Sequence, residues 1–343
     1  MDERAARTLD RALGALYGLA VGDALGMPTQ FLSRSVVLSL YGPSLTSFEP
    51  GPSINPISKG MPAGTVTDDT QQAVILGQTL IDGGGRVDHR LLADRLLAWE
   101  SHMVGQGSAD LLGPSTRRAL TALTQGARLD EAGRWGDTNG AAMRIAPVGI
   151  ATTVEPLGAF CEAVAEASML THGTGLAIAG ACAVAAAVSA GLDGADEVEL
   201  LDVGIAAAEH GAGLGHYMAG ADVAVRMRWA IDLLTGPAPD RSRGDPLDQL
   251  DRLVGTGVAT QESVPAAFAL VARHWADPWQ ACLLAASLGG DADTIAAMVG
   301  TMLGAMHGQR GFPATAVKQL DAVNDLGFAG LALALLKLRG TRR

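Results

Sequence analysis

A chain of 343 residues with 48% hydrophobic but only 4% aromatic side chains must build its core from Ala, Leu, Val, Ile and Met, and its length allows one large domain or two. Twenty-five basic against 36 acidic residues give a formal charge of −11 with no concentrated basic patch, which argues against recognition of a nucleic-acid backbone and leaves a bound nucleotide open. Cys161, Cys182 and Cys282 are odd in number, far apart and set in apolar runs, so they predict small core residues of a reducing, cytoplasmic compartment rather than a disulfide or zinc framework.

The first residues, Met1-Asp2-Glu3-Arg4, lack the basic start of a signal peptide. Residues 5–26 predict a helix, with Leu9, Leu13, Leu16 and Leu19 recurring on one face and Gly22, Gly26 and Pro28 stopping it. From 28 to 64 the chain is rich in Pro, Ser and Gly without lasting periodicity, which predicts a long loop covering whatever lies beyond it. Helical patterns then recur at 70–82, 88–104, 114–125, 139–151, 157–170, 173–191, 196–210, 219–235, 245–254, 263–275, 278–288, 294–307, 314–325 and 328–339. Gly83-Gly84-Gly85, Gly236-Pro237-Ala238-Pro239 and Gly311-Phe312-Pro313 punctuate them. No run of alternating β-branched residues interrupts the series, so the fold class is all-α. No linker divides it, so residues 1–343 read as a single compact domain. The uncharged stretch from Gly173 to Leu192 is long enough for a bilayer, but its Ala and Gly content predicts a helix buried within the bundle instead of a membrane span.

Two oxygen-rich stretches stand out at helix starts, Thr67-Asp68-Asp69-Thr70 and Gly289-Gly290-Asp291-Ala292-Asp293-Thr294. Thr and Asp are ordinary capping residues, because their oxygens accept the free N–H groups of a helix N-terminus. One such residue suffices for a cap, however, so the paired aspartates are in excess. Thr67, Asp68, Asp69, Asp291, Asp293 and Thr294 together offer hard oxygen donors suited to a pair of divalent cations such as Mg2+ or Mn2+. The expectation is that the two stretches meet in space around them.

Asp137-Thr138-Asn139-Gly140 opens a third polar helix start, where Asn139 could offer its amide to a substrate or simply cap the helix. Thr171-His172 precedes the Ala-rich helix, and His172 could contact a phosphate or ribose hydroxyl or serve as a surface residue. His210 and His216 lie six apart, which fits no metal-binding helix, and the glycines between them follow no strand, so they do not form a dinucleotide fingerprint.

In their order along the chain, Gly22-Asp23-Ala24-Leu25-Gly26, Thr67-Asp68-Asp69-Thr70, Asn139-Gly140-Ala141-Ala142-Met143-Arg144, Thr171-His172 and Gly290-Asp291-Ala292-Asp293-Thr294 resemble the motifs of the ADP-ribosylglycohydrolase family. The resemblance implies a compact all-α hydrolase with a binuclear Mg2+ or Mn2+ centre held by the six Thr and Asp residues above. It further implies cleavage of the glycosidic bond at the anomeric carbon of an ADP-ribosyl group on a protein or small compound. Asn139, Gly140 and His172 would line the substrate cleft, and Asp68 and Asp69 would share the handling of the water's proton.

The chain departs from the family in two places. Many relatives carry a glutamate where this chain has Gln30, and a neutral amide can hydrogen-bond but cannot accept a proton as a base. The cleft segment Asp-Ile-Gly-x-x-Thr is matched only approximately by Asp110-Leu111-Leu112-Gly113-Pro114-Ser115-Thr116, which assigns Asp110 to the substrate by position alone. Two alternatives follow: hydrolysis of free nucleosides or small N-ribosides, and a silent relative that only binds ADP-ribose. Four clustered acids, which repel one another without cations, argue against the silent form.

Overall fold

The computed structural model describes residues 3–105, 112–236 and 245–341. Every regular element among them is helical, and strand-like pairing is limited to two isolated bridges, Thr138 with Ala259 and Thr174 with His216. Most predicted helices are present within a few residues of their expected ends, with two corrections. The pattern at 139–151 is split into Gly140–Met143 and Ala146–Ala151, because Pro147 has no N–H to donate to the carbonyl four residues back. The predicted loop at 28–64 contains the helix Arg34–Tyr41, too short for its periodicity to stand out against the surrounding Pro, Ser and Gly.

The helix Gly175–Asp193 occupies the middle of the bundle. It is long and apolar enough to cross a membrane, yet 89% of its apolar window is buried inside the protein. Its Ala-rich surface lets neighbours approach from all sides, including Glu197–Gly211, Ala292–His307 and Thr260–His274. Cys161, Cys182 and Cys282 are free and buried in this core, as expected.

The feature that positions the site is a stripe of glycines on the first helix, Glu3–Gly26. Gly14, Gly18, Gly22 and Gly26 recur every four residues and so form one ridge. They face Gly304, Gly300, Ala296 and Asp293 of the antiparallel helix Ala292–His307, so closely that a Cβ on any of the four would overlap the opposing backbone. The two backbones are in near contact, which brings Asp23 and the turn after Gly26 against the start of Ala292–His307. Replacing Gly18 by Val would force the pair apart. Overpacking costs about 1–3 kcal/mol, and the upper end is expected where backbone must move, so thermal unfolding is expected to show a midpoint lower by roughly 4 °C.

The turn after Gly26 is tied to the second oxygen-rich stretch by reciprocal bonds. Phe31 N donates to Gly290 O at 2.6 Å and Gly290 N donates to Leu32 O at 2.8 Å. Asn55 reaches back from the loop, its Nδ2 donating to Gln30 O at 2.7 Å while its Oδ1 accepts from Ile57 N and Ser58 N. The segment predicted to cover the site is therefore fastened beside it.

Candidate active site

Asp23 takes over the cap of the helix Asp68–Asp82. Its carboxylate accepts from Thr67 N at 2.9 Å, Thr67 Oγ at 2.7 Å, Thr70 N at 3.1 Å and Thr70 Oγ at 2.5 Å. The N-cap residue Thr67 makes no side-chain cap bond of its own. Asp68 and Asp69 are consequently not needed for capping. At the other stretch Asp291 sits at the N-cap of Ala292–His307, again without a side-chain cap bond. Its Oδ2 instead accepts from Asn139 Nδ2 at 2.5 Å, and Asn139 is held in turn by Ser263 Oγ at 2.9 Å. The capping explanation thus fails for the acids at both helix starts.

The two stretches meet. Asp68, Asp69, Asp291, Asp293 and Thr294 line one cavity of about 80 Å³ together with Gln30, Asn139, Gly140 and His172. That volume admits a few ions or waters, since about 10–15 Å³ of such space suffices for one water. Thr67 is brought near but turned away: its hydroxyl donates to Asp23 and, at 3.2 Å, to Asp69 Oδ2. Gln30 donates its amide to Met27 O at 3.2 Å and is almost wholly buried. Asp110 lies outside the described residues.

Burial and mutual repulsion dominate the electrostatics. Burial pushes the Asp23 and Asp291 carboxyls up to about 6, against the lowering effect of their hydrogen bonds to threonine and asparagine. Asp68, Asp69 and Asp293 are raised further, first by burial and then by their neighbours' negative charge. One buried cation opposes them: Arg144 lowers Asp68, and burial brings the guanidinium itself down to about 10, so that it stays charged at neutral pH. His172 lies well below its ordinary value, because it is buried and faces Arg144 and Arg118, and is therefore neutral.

Asp69 Oδ1 and Asp293 Oδ1 are buried without a hydrogen-bond partner. A buried carboxylate oxygen left unpaired is costly and calls for a counter-ion. Apart from the amides, His172 and the Met143 thioether, the side-chain donors lining the cavity are hard oxygens, the chemistry that Mg2+ and Mn2+ prefer. Among the described residues no group of three or more His, Cys, Asp or Glu side chains is placed to hold a metal ion. The fit accordingly rests on the two orphaned oxygens and on the charge they carry.

Several residues of the site were not singled out by sequence reasoning. Asp23 stands in the motif Gly22-Asp23-Ala24-Leu25-Gly26 but was given no role of its own, although it is the one acid in the run from Leu13 to Leu25. Phe31 adopts a left-handed backbone, φ 58°, and lines the cavity with its ring half exposed between buried Gln30 and Leu32. No sequence pattern announces such a conformation in a bulky residue. Gly140 was expected as a cleft residue, and its reason is steric: a Cβ there would strike the imidazole of His172.

The sequence pattern of the family described as ADP-ribosylglycohydrolase matches residues 4–343. The chain is similar to the uncharacterized protein YegU of Escherichia coli K12, 37% identical over 333 residues that span 97% of this chain and 98% of that one. It is also similar to the ADP-ribosylarginine hydrolase Tri1 of Pseudomonas putida GB-1, 31% identical over 90% of this chain and 73% of the other. Among solved structures, an ADP-ribosylglycohydrolase-related protein complex superposes with a TM-score of 0.67 at 27% identity, covering 97% of this chain and 99% of its counterpart.

Proposed function

The chain belongs to the ADP-ribosylglycohydrolase family and is a glycosidase acting on ADP-ribosyl linkages, and on that premise we propose that it releases ADP-ribose from modified protein at a centre of two Mg2+ or Mn2+ ions. Asp68, Asp69, Asp291, Asp293 and Thr294 would hold the ions, with Thr67 and Asp23 behind them. The observation that carries this reading is the convergence of acids from both stretches on one cavity, with Asp69 Oδ1 and Asp293 Oδ1 unpaired. The printed activity of Tri1 makes arginine the acceptor to test first. Free thiols in the core support a cytoplasmic setting.

In the reaction water adds its hydroxyl to the anomeric carbon of the terminal ribose, the bond from that carbon to the acceptor nitrogen breaks, and the proton ends on the departing guanidine. When bound, the cations supply charge that holds the ribose hydroxyls and acidifies a nearby water. Asn139 keeps Asp291 in place through its 2.5 Å bond. Gln30 cannot act as a base, so proton handling falls to Asp68 and Asp69. The acids lining the cavity are all buried, which limits water near the cleaving bond, while the rest of the substrate must extend outward past Phe31.

The test is release of ADP-ribose from ADP-ribosyl-arginine, followed by chromatography. Turnover is expected with Mg2+ or Mn2+, a fall of at least about a hundredfold on chelation, and recovery when the cation is returned. Equal rates with and without chelator would overturn the metal centre. Release of free base from nucleosides with no action on ADP-ribosyl-arginine would replace the substrate assignment.

A further inference from the structure

Behind the cavity a line of buried side chains joins its two walls. Arg144, 1% exposed, donates from one guanidinium nitrogen to Gln72 Oε1 at 2.9 Å and from the other to Thr171 Oγ at 2.5 Å. Gln72 continues to Asp68, its Nε2 donating to Oδ2 at 2.9 Å. Thr171 continues to His172 Nδ1 at 2.7 Å, and the far ring nitrogen, Nε2, lies 3.1 Å from Thr138 Oγ.

We propose that Arg144 is a positioning residue that fixes the hydrogen-bond direction at both walls of the site, at Asp68 through Gln72 and at His172 through Thr171. The argument is one of donors and acceptors. A guanidinium can only donate. Gln72 must therefore turn its carbonyl to Arg144, which leaves its NH2 for Asp68 Oδ2 and makes Oδ1 the oxygen available to a cavity ligand. Thr171 Oγ must likewise accept from Arg144. Its own proton then goes to His172 Nδ1, because with the proton on Nδ1 the threonine oxygen would accept twice and its buried hydroxyl would face no acceptor among its bonds. A neutral imidazole that accepts at Nδ1 carries its proton on Nε2. That N–H rests on Thr138 Oγ, and both residues line the cavity, so a ribose or phosphate oxygen can take the place of the threonine. The role in turnover rests on the proposed function; the hydrogen-bond pattern does not.

The full-length protein, free of metal and ligand, allows the pattern to be read directly. In 15N-histidine-labelled protein, long-range nitrogen–proton correlations distinguish the two tautomers, and loss of one signal set in His172→Asn identifies this residue among the seven histidines. The expected result is a preference for Nε2–H of about tenfold or more, as befits the loss of one buried hydrogen bond. Arg144→Met should reduce it to within about threefold of parity. Thr171→Val leaves the guanidinium in place and should move Nδ1 to the shift of a nitrogen without a donor, with Thr171→Ser restoring it. This pair decides the question if Arg144→Met does not fold. A wild-type Nδ1–H tautomer, or an Nδ1 shift unaffected in Thr171→Val, would overturn the proposal. In the assay Thr171→Val should raise KM for ADP-ribosyl-arginine about tenfold while leaving Mn2+ affinity unchanged; a wild-type KM would overturn the link to substrate. Wild-type protein without turnover would defeat the functional reading, and the tautomer measurement would still decide the relay.

Discussion

Asp69→Asn is expected to reduce ADP-ribose release by at least about 10³-fold and, in the same protein, to raise the melting temperature of the cation-free form. Both effects come from one oxygen. Asp69 is 1% exposed, its Oδ1 has no partner, and Asp293, Asp23, Asp68 and Asp291 all act on it with negative charge. Asparagine keeps the shape and can still accept from Thr67 Oγ, which lies 3.2 Å from Oδ2. It removes the charge that a cation needs and that the empty fold tolerates poorly. An unsatisfied buried group costs about 1–3 kcal/mol, so calorimetric scans in chelator should show a midpoint higher by roughly 2 °C or more. Unaltered turnover in Asp69→Asn would remove this residue from the centre, and a lowered midpoint in chelator would show that the carboxylate is satisfied some other way.

The second large effect is on the pH dependence of stability. The Asp23 and Asp291 carboxyls are raised to about 6, and Asp68, Asp69 and Asp293 are raised as well, burial being the first cause in each case. Between the unfolded carboxylate value near 4 and these folded values, the native state binds more protons than the unfolded chain. Stability therefore falls as pH rises through this window, the reverse of the usual behaviour of a salt-bridged aspartate. Cation-free protein should melt higher at pH 5 than at pH 8. Saturating Mn2+ should reduce the deficit at pH 8, because a ligand at a hundred times its Kd adds about 2.7 kcal/mol. Scans at both pH values, with chelator and with Mn2+, measure this. A chelated protein more stable at pH 8, or no response to Mn2+, would contradict the electrostatic account.

Much of this architecture could be read from the sequence because its signals are local. Helical periodicity and the lack of alternating β-branched runs gave the all-α class, and excess acid at two helix starts pointed to both halves of the cavity. What stayed hidden depends on partners far apart in the chain. The ridge Gly14, Gly18, Gly22 and Gly26 has meaning only against Gly304, Gly300 and Ala296, and in the sequence Gly22 and Gly26 read only as the stop of the first helix. Asp23 caps a helix that begins 45 residues later. Arg144 was visible as part of a motif, yet its donors point to Gln72 and Thr171 on two other segments, and no spacing encodes that. Gln30 was legible in the opposite sense: the missing glutamate was plain from sequence, and the side chain does line the cavity.

Anomalous diffraction from a crystal soaked in Mn2+ addresses the central point most directly. Two peaks are expected between Asp68 and Asp69 on one side and Asp291 and Asp293 on the other, about 2.0–2.3 Å from carboxylate oxygens of both stretches. An empty cavity at saturating Mn2+, or peaks bound by one stretch alone, would contradict the account.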